Sequence, residues 1–426
     1  MIEGGFQLTG TIEPLGNKNA ALTLLAASLL TDETVVLNNA PPIGDVLTQI
    51  AILRDLGVSV QHPGRATLSA CAASLSKTAL NPDYCRRNRG SILLAGPLLA
   101  RHGRATMPRP GGDRIGRRRL DTHLRALEAL GARIETSHGY ELWAPDGLTG
   151  ADIFLDERSV TGTENVIMAA ALAKGTTVIR NAASEPHVQE LCHLLNAMGA
   201  RISGVGTNEL TVEGVKALSG GEHAIGPDYM EVGSFIGLAA VTHGEIRIRD
   251  AAPHHMRLSL MVFERLGVEV MVDGEDILVP DDQKLQIVRD VGDAIPKIFD
   301  DPWPGFPADL MSIAIVVATQ ARGTVMFFEK MYESRLFWLD RLIEMGAEII
   351  ICDPHRAVIV GPSKLYGERI TSPDIRAGMA LLIASLCAEG QTVIRNIEQI
   401  DRGYDRIDER LRRLGARIER VPVLLD

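Results

Sequence analysis

Six segments of the chain are apolar on every side and rich in small residues: KNAALTLLAASLL (18–30), RGSILLAGPLLA (89–100), ENVIMAAALAK (164–174), MEVGSFIGLAAVTH (230–243), ADLMSIAIVVATQ (308–320) and DIRAGMALLIASLCA (374–388). With no polar face to turn to water, each predicts a buried helix. A β-rich run follows each of them. A glycine opens it at Gly103, Gly175, Gly244, Gly323 and Gly390, and ETVVLNNA stands in that place in the first copy. A second helix of different pattern comes next. In RIDERLRRLG, for example, Ile407, Leu411 and Leu414 form one stripe and charge covers the rest, which predicts a surface helix packed on a sheet.

Each surface helix ends in a Leu/Met-Gly pair that opens another strand-like run. The pair occurs six times, at Gly57, Gly131, Gly199, Gly267, Gly346 and Gly415, with spacings of 68 to 79 residues. The whole chain is therefore one unit repeated six times. A repeat of this length exceeds the roughly 20 to 50 residues of common solenoids and suits a small α/β unit with its own helices. Six such units in 426 residues divide naturally into two groups of three.

Composition narrows the class. A formal net charge of -10 and 4% aromatic residues argue against a general nucleic-acid binder, which needs positive charge and stacking surfaces. Polar residues interrupt the apolar runs before they reach membrane-spanning length, and MIEGGFQLTG has no signal-peptide core. Five cysteines with no CxxC pair, and 11 histidines without metal-ligand spacing, predict a cytoplasmic protein with reduced thiols and no metal or other cofactor.

The chemistry concentrates at helix starts. Counting back 14 residues from each strand-opening glycine gives Arg89, Thr161, Met230, Asp309 and Arg376, and the matching place in copy one holds Lys18. Helix starts carry unpaired N–H groups and partial positive charge, so several converging ones make an anion site. Arg118, Arg335 and Arg402 are expected at the starts of the surface helices, where a cation opposes the helix dipole. Any one of them alone reads as a solvated surface charge; their recurrence points to a polyanionic ligand. Copy two also departs from the others. Its two glycines are 28 residues apart, against 23 to 25 in copies three to six, and the excess lies in PRPGGDRIGRRRLDTH, residues 108–123. This segment reads equally as a mobile lid with a charged tip or as an ordinary surface loop.

GNKNAAL (16–22), PGGDRIG (110–116), SVTGTEN (159–165), FPADLM (306–311), YESRL (332–336), DIRAG (374–378) and IDRGYDRI (400–407), in that order, resemble the motifs of the UDP-N-acetylglucosamine enolpyruvyltransferases. These 1-carboxyvinyltransferases begin peptidoglycan precursor synthesis. The resemblance implies an inside-out α/β fold of two similar domains, each of three βαβαββ units with the helices buried. The domains implied are 19–226, carrying the lid, and 1–18 with 227–426, with the active site in the cleft between them. The implied partners are phosphoenolpyruvate and UDP-N-acetylglucosamine, and the expected state is a monomer.

The family reaction adds a sugar hydroxyl to carbon 2 of phosphoenolpyruvate, protonates carbon 3, and later expels phosphate. Clamped anions, one acid and one base suffice for it. By motif match, Lys18, Arg118 and Arg402 hold the phosphate, and Arg335 and Arg376 grip the carboxylate as planar forks. Asp309 is the base at the sugar 3-hydroxyl, Asn19 steadies the tetrahedral intermediate, Asp374 organises the site, and Arg89 is a supporting cation. Without the motif match, Asp309 and Asp374 read as helix N-caps. The nucleotide is expected with its uracil against Leu120, Asp121 and His123 and its diphosphate near Ser159, Val160 and Gly162, and Met331 is expected among the substrate contacts.

Asp113 is the implied general acid. Many family members read PGGC where this chain reads PGGD, and that thiol is the target of the epoxide fosfomycin. A carboxyl can deliver the proton if it is protonated when the lid closes. Burial and the charge of phosphoenolpyruvate favour that form, and Arg114, Arg117 and Arg118 oppose it; on its own, the residue reads as a solvated turn aspartate. The acceptor stretch also departs from the family pattern. Arg118-Arg119-Leu120-Asp121-Thr122-His123 stands where many members have Arg-Pro-x-Asp-Leu-His, and Asp156-Glu157-Arg158 replaces a run that often holds a lysine. Arg158 or Arg119 can supply the missing charge. The change leaves open a different acceptor such as a nucleoside monophosphate, or a silent nucleotide-sugar-binding paralogue. The shikimate-pathway transferase fits GNKNAAL and PGGD less well.

Overall fold

The computed structural model describes residues 1–422 except 63, 65 and 114; Arg114 of the lid thus lies outside the described residues. The chain forms two compact units. One is Met1–Pro14, Asp113–Arg118 and Pro227–Asp426, and the other is Leu15–Gly112 and Arg119–Gly226. Each has its own apolar core.

In the first unit three long helices, Tyr229–Thr242, Ala308–Gln320 and Ile375–Cys387, pack on one another. All residues of Tyr229–Thr242 are buried, as an all-apolar helix requires. Small residues let them approach closely. A Cβ on Gly233 would lie 2.6 Å from Leu310 Cδ2. Three four-stranded sheets accompany these helices. In one, Lys297–Phe299 runs parallel to Gly323–Phe328, which pairs antiparallel with Arg356–Gly361, itself paired with Glu348–Asp353. The chain order is strand, buried helix, strand, surface helix, strand, strand, which is the βαβαββ unit expected. The N-terminal residues complete two of these sheets. Gly10–Ile12 lies parallel to Ile246–Ile248, and Ile2–Glu3 sits between Gln391–Arg395 and Arg417–Ile418.

The second unit repeats the plan around Lys18–Ala27 and Val160–Ala170, and Gly221–Ala224 closes its first sheet by pairing parallel to Thr34–Asn38. Residues 15–18, expected with the N-terminal strand, belong here: the Asn17 N–H donates to Gly226 O at 2.8 Å, and Lys18 Nζ donates to Asp45 at 3.1 Å. The buried helix expected at 89–100 is split into a 3-10 turn, Arg89–Leu94, and an α-helix, Ala95–His102. Pro97 is the reason. It has no N–H and belongs in a first helical turn, so the α-helix restarts just before it.

The six glycines of the Leu/Met-Gly pairs have φ between +84° and +105°, the left-handed conformation that ends a helix and that glycine adopts without penalty. One expectation needs correcting here. Arg118 precedes the helix Asp121–Ala129, Arg335 precedes Leu339–Glu344, and Arg402 caps the C-terminus of Glu398–Asp401. All three lie in the connections ahead of the surface helices rather than in their first turns, so they do not oppose those dipoles.

Candidate functional site

In the first unit the charged residues converge on Asp309. It is the second residue of helix Ala308–Gln320, where the dipole favours a carboxylate, and the chain does not use it as a cap. Its Oδ1 accepts from Arg335 Nη2 at 2.5 Å, and its Oδ2 from Arg376 Nε at 2.9 Å. Both arginine side chains are 4% exposed, against 35% for Asp309. Burial works most strongly against the charge of Arg376, but Asp309, Tyr404 and Asp228 together outweigh it and hold the guanidinium well above its ordinary pKa. The same balance, burial against Asp309 and then Asp374, raises Arg335. Arg376 also donates to the Tyr404 hydroxyl at 3.2 Å, which lies 3.0 Å from Ser234 Oγ. Arg335 Nε is buried with no hydrogen-bond partner among the described residues, a donor that costs free energy until an acceptor reaches it.

Asp374 does cap its helix. Its Oδ1 accepts from the N–H groups of Arg376 and Ala377 at 2.8 and 2.9 Å, which fixes the turn that carries Arg376.

The segment Asp113–Arg118, expected with residues 19–226, belongs instead to this same unit. Asp113 Oδ1 accepts from Arg402 Nη1 at 2.5 Å, and Arg402 also donates to Gln399 Oε1 at 2.8 Å. The Arg117 N–H donates to Glu333 Oε2 at 3.0 Å, and the Ser334 N–H to Ile115 O at 3.1 Å. Gly116, at φ +131°, lets the backbone come so close that a Cβ would lie 2.2 Å from Glu333 Oε2. The tip is thus bonded to the segment immediately before Arg335. Asp113 is ion-paired and mostly buried, unlike a solvated turn aspartate.

In the second unit Lys18 opens its helix behind the cap Asn17, whose side chain accepts from the Ala20 N–H. Asn19 beside it is half-buried. Arg89 opens the 3-10 turn Arg89–Leu94. Ser159 caps helix Val160–Ala170, its hydroxyl accepting from the Gly162 N–H at 3.1 Å.

His123 departs from expectation. Its ring is 2% exposed, with Nδ1 3.0 Å from Asn165 Nδ2 and Nε2 3.1 Å from Thr161 Oγ1. The amide donates, so Nδ1 accepts and Nε2–H faces Thr161. Burial, and then Arg89, push its pKa down to about 3, so the ring is neutral. No ring nitrogen remains for a uracil. Leu120 is buried as well, whereas Asp121 is half-buried and pairs with Arg119 Nε at 2.7 Å; that bond holds its carboxyl below the usual range. Arg119 also approaches Asp156 at 3.6 Å. Arg158 Nε is buried with no partner among the described residues, so of the two basic residues expected to supply charge here, Arg119 is the one already neutralised. Met331 is exposed, with its N–H held by Asp300.

Sequence reasoning gave no role to Tyr404, although it lies inside the run IDRGYDRI. It also missed Asp300 and Glu329, the carboxyl groups behind Met331. Among the described residues no cluster of three or more His, Cys, Asp or Glu side chains is placed to hold a metal ion, and no helix is long and apolar enough to cross a membrane.

A family model described as EPSP synthase (3-phosphoshikimate 1-carboxyvinyltransferase) matches residues 2–411. The chain is similar to a UDP-N-acetylglucosamine 1-carboxyvinyltransferase of Bradyrhizobium diazoefficiens, 55% identical over 422 residues, 99% of this chain and 98% of the relative. It is equally similar to one of Treponema denticola, 55% identical over 419 residues and 98% of each chain. Among solved structures, its fold is similar to the enolpyruvyl transferase NikO from Streptomyces tendae, with a TM-score of 0.88, 23% identity and 97% of each chain covered. It is also similar to EPSP synthase from Acinetobacter baumannii, with a TM-score of 0.74, 18% identity and 97% of each chain covered. Six α/β units built on buried helices, five with four-stranded sheets and one with a three-stranded sheet, a family model spanning nearly the whole length, and relatives identical at more than half their positions lead to one conclusion: the chain belongs to the enolpyruvyltransferase family, in the branch of the UDP-N-acetylglucosamine 1-carboxyvinyltransferases.

Proposed function

We propose that the chain transfers the enolpyruvyl group of phosphoenolpyruvate to the 3-hydroxyl of UDP-N-acetylglucosamine with release of phosphate, the first committed step of peptidoglycan precursor synthesis. The observation that carries this reading is Asp309, held between two nearly buried guanidinium groups, one of which keeps a buried, unpartnered N–H. In the addition step the sugar oxygen bonds to carbon 2, Asp309 takes the hydroxyl proton, and Asp113 delivers a proton to carbon 3. In the elimination step carbon 3 loses a proton, the double bond re-forms, and phosphate leaves carbon 2 with the electron pair of the broken C–O bond.

Arg335 and Arg376 take the carboxylate of phosphoenolpyruvate. Lys18, Arg118 and Arg402 take its phosphate, Asn19 steadies the tetrahedral adduct, and Arg89 adds positive charge. Asp374 acts through the turn that it caps. Leu120, Asp121, Ser159, Val160, Gly162 and Met331 are assigned to the acceptor, and Arg158 is the cation assigned to its diphosphate. We place the enzyme in the cytoplasm, as a monomer.

The pairing suggests how the two carboxylates become available. Asp309 is bonded to the cations assigned to the substrate carboxylate, and Asp113 to one assigned to the substrate phosphate. An arriving phosphoenolpyruvate competes for these guanidinium groups and frees both carboxylates together; Asp309 then takes the hydroxyl proton, and Asp113 takes up a proton from solvent before giving it to carbon 3.

The clamp is testable. Arg335→Lys or Arg376→Lys keeps the charge but loses the planar two-pronged grip. The expected loss in kcat/KM for phosphoenolpyruvate is about 1.5–3 kcal/mol, the range for a hydrogen bond to a charged group. The KM for the nucleotide sugar should stay near that of the parent. Parental kinetics in both variants would mean that the carboxylate is held elsewhere.

A further inference from the structure

Two carboxyl side chains with no exposure stand side by side at the carboxyl ends of adjacent parallel strands. Asp300 follows Lys297–Phe299 and Glu329 follows Gly323–Phe328, and Phe299 is in register with Phe328. Between them they hold the next turn of the chain. Asp300 Oδ1 accepts from the Lys330 N–H at 2.5 Å and Oδ2 from the Met331 N–H at 3.2 Å, while Glu329 Oε1 accepts from the Tyr332 N–H at 3.2 Å. The Glu329 main chain is fixed as well. Its N–H donates to His355 O at 2.7 Å, and its carbonyl lies 2.7 Å from His355 Nδ1.

The second oxygen of Glu329 is buried and has no hydrogen-bond partner among the described residues. The Asp300 carboxyl group is its neighbour at the end of the adjacent strand. Two buried carboxyl groups side by side do not both ionise. The two amide N–H groups on Asp300 match an ionised acceptor, so the proton sits on Glu329. Burial first, then the charge of Asp300, push Glu329 up to about 9, while Arg335 and the Tyr332 N–H pull it down. Besides Asp300, the groups facing the pair are Arg335, the Tyr332 phenol and the His355 ring. Lys330 of the same turn reaches away to Asp301 at 2.9 Å.

The position of the pair gives it leverage. From Asp300 the chain runs through a loop closed by the Asp301 N–H to Phe306 O bond, at 3.0 Å, into the helix bearing Asp309. From Glu329 it runs through Met331 to Arg335. These two paths meet again at the 2.5 Å Arg335–Asp309 contact. We propose that Asp300 and Glu329 share one proton and are positioning residues: they hold the roots of both segments, so that Arg335 and Met331 present to substrate in fixed geometry and the grip on phosphoenolpyruvate weakens when that proton is lost. The inference rests on the functional reading given above.

Glu329→Gln tests it, because the amide can donate to Asp300 and accept from Tyr332 without titrating. The KM for phosphoenolpyruvate of the parent should rise roughly tenfold for each pH unit above about 9, as the fraction holding the proton falls. That of Glu329→Gln should stay level over the same range. Asp300→Asn, which sets an amide donor against backbone donors, should raise this KM at every pH, with a smaller effect on kcat. A second readout needs no turnover. A group whose folded pKa is raised confers stability that is fully present below its unfolded pKa and is lost as pH rises through the folded value. The melting midpoint of the parent should therefore fall relative to Glu329→Gln between pH 6 and 9. Identical midpoint profiles would overturn the shared proton, and an equal alkaline rise in KM in both proteins would overturn its link to substrate. A parent that releases no phosphate would instead overturn the functional reading and the substrate-positioning half of the inference, with the midpoints still deciding the proton.

Discussion

Asp113→Asn is expected to lose turnover by roughly 10²- to 10⁴-fold, the contribution of a positioned general acid, while binding of the nucleotide sugar stays near that of the parent. The amide fills the same space and still accepts from Arg402, so the lid contacts at Ile115 and Arg117 should persist. What it lacks is a proton to give to carbon 3. A thiol can restore that function, so Asp113→Cys should regain part of the activity. The same change should make the enzyme sensitive to fosfomycin, which the parent resists because a carboxylate paired with a guanidinium is a poor nucleophile toward the epoxide. Rapid-quench turnover of the three proteins, with and without the epoxide, checks this. Parental turnover in Asp113→Asn, or fast inactivation of the parent, would show that Asp113 is not the acid.

Asp309→Asn is expected to lower kcat by roughly 10²- to 10⁴-fold through loss of the base, with a distinctive split between the constants. The carboxylate now occupies both Arg335 and Arg376, and an amide competes less well for them. The KM for phosphoenolpyruvate should therefore be unchanged or lower. The fold should survive, because Asp309 is a third exposed and solvent screens much of the lost pairing. Steady-state kinetics at varied phosphoenolpyruvate decide the matter. A kcat near the parental value would remove Asp309 from the chemistry, and a large rise in KM would make it a binding residue only.

How far the sequence reaches depends on the kind of feature. The buried helices were legible because Tyr229–Thr242 and Ile375–Cys387 are apolar all round, and only an interior position suits that pattern. Lys18, Asp309 and Arg376 were legible because the repeat fixes them in first helical turns. The break in the second buried helix was visible in Pro97 and was passed over. His123 was misread because a motif match says which residue recurs, not which way it points. Leu120, His123, Leu127 and Leu130 follow helical spacing, and that stripe already turned the imidazole inward. The Asp300–Glu329 pair was beyond reach. The two are 29 positions apart, and only the register of two parallel strands brings them together. The hydrogen bond of Asp113 to Arg402, 289 positions away, was likewise hidden, because only the folded chain brings the two together.

Phosphate release from phosphoenolpyruvate, followed in parallel with UDP-N-acetylglucosamine, UMP and shikimate 3-phosphate as acceptors, tests the central claim most directly. The account predicts stoichiometric release only with UDP-N-acetylglucosamine, matched by an enolpyruvyl ether on its 3-oxygen. Release with UMP or shikimate 3-phosphate and none with the nucleotide sugar would contradict it.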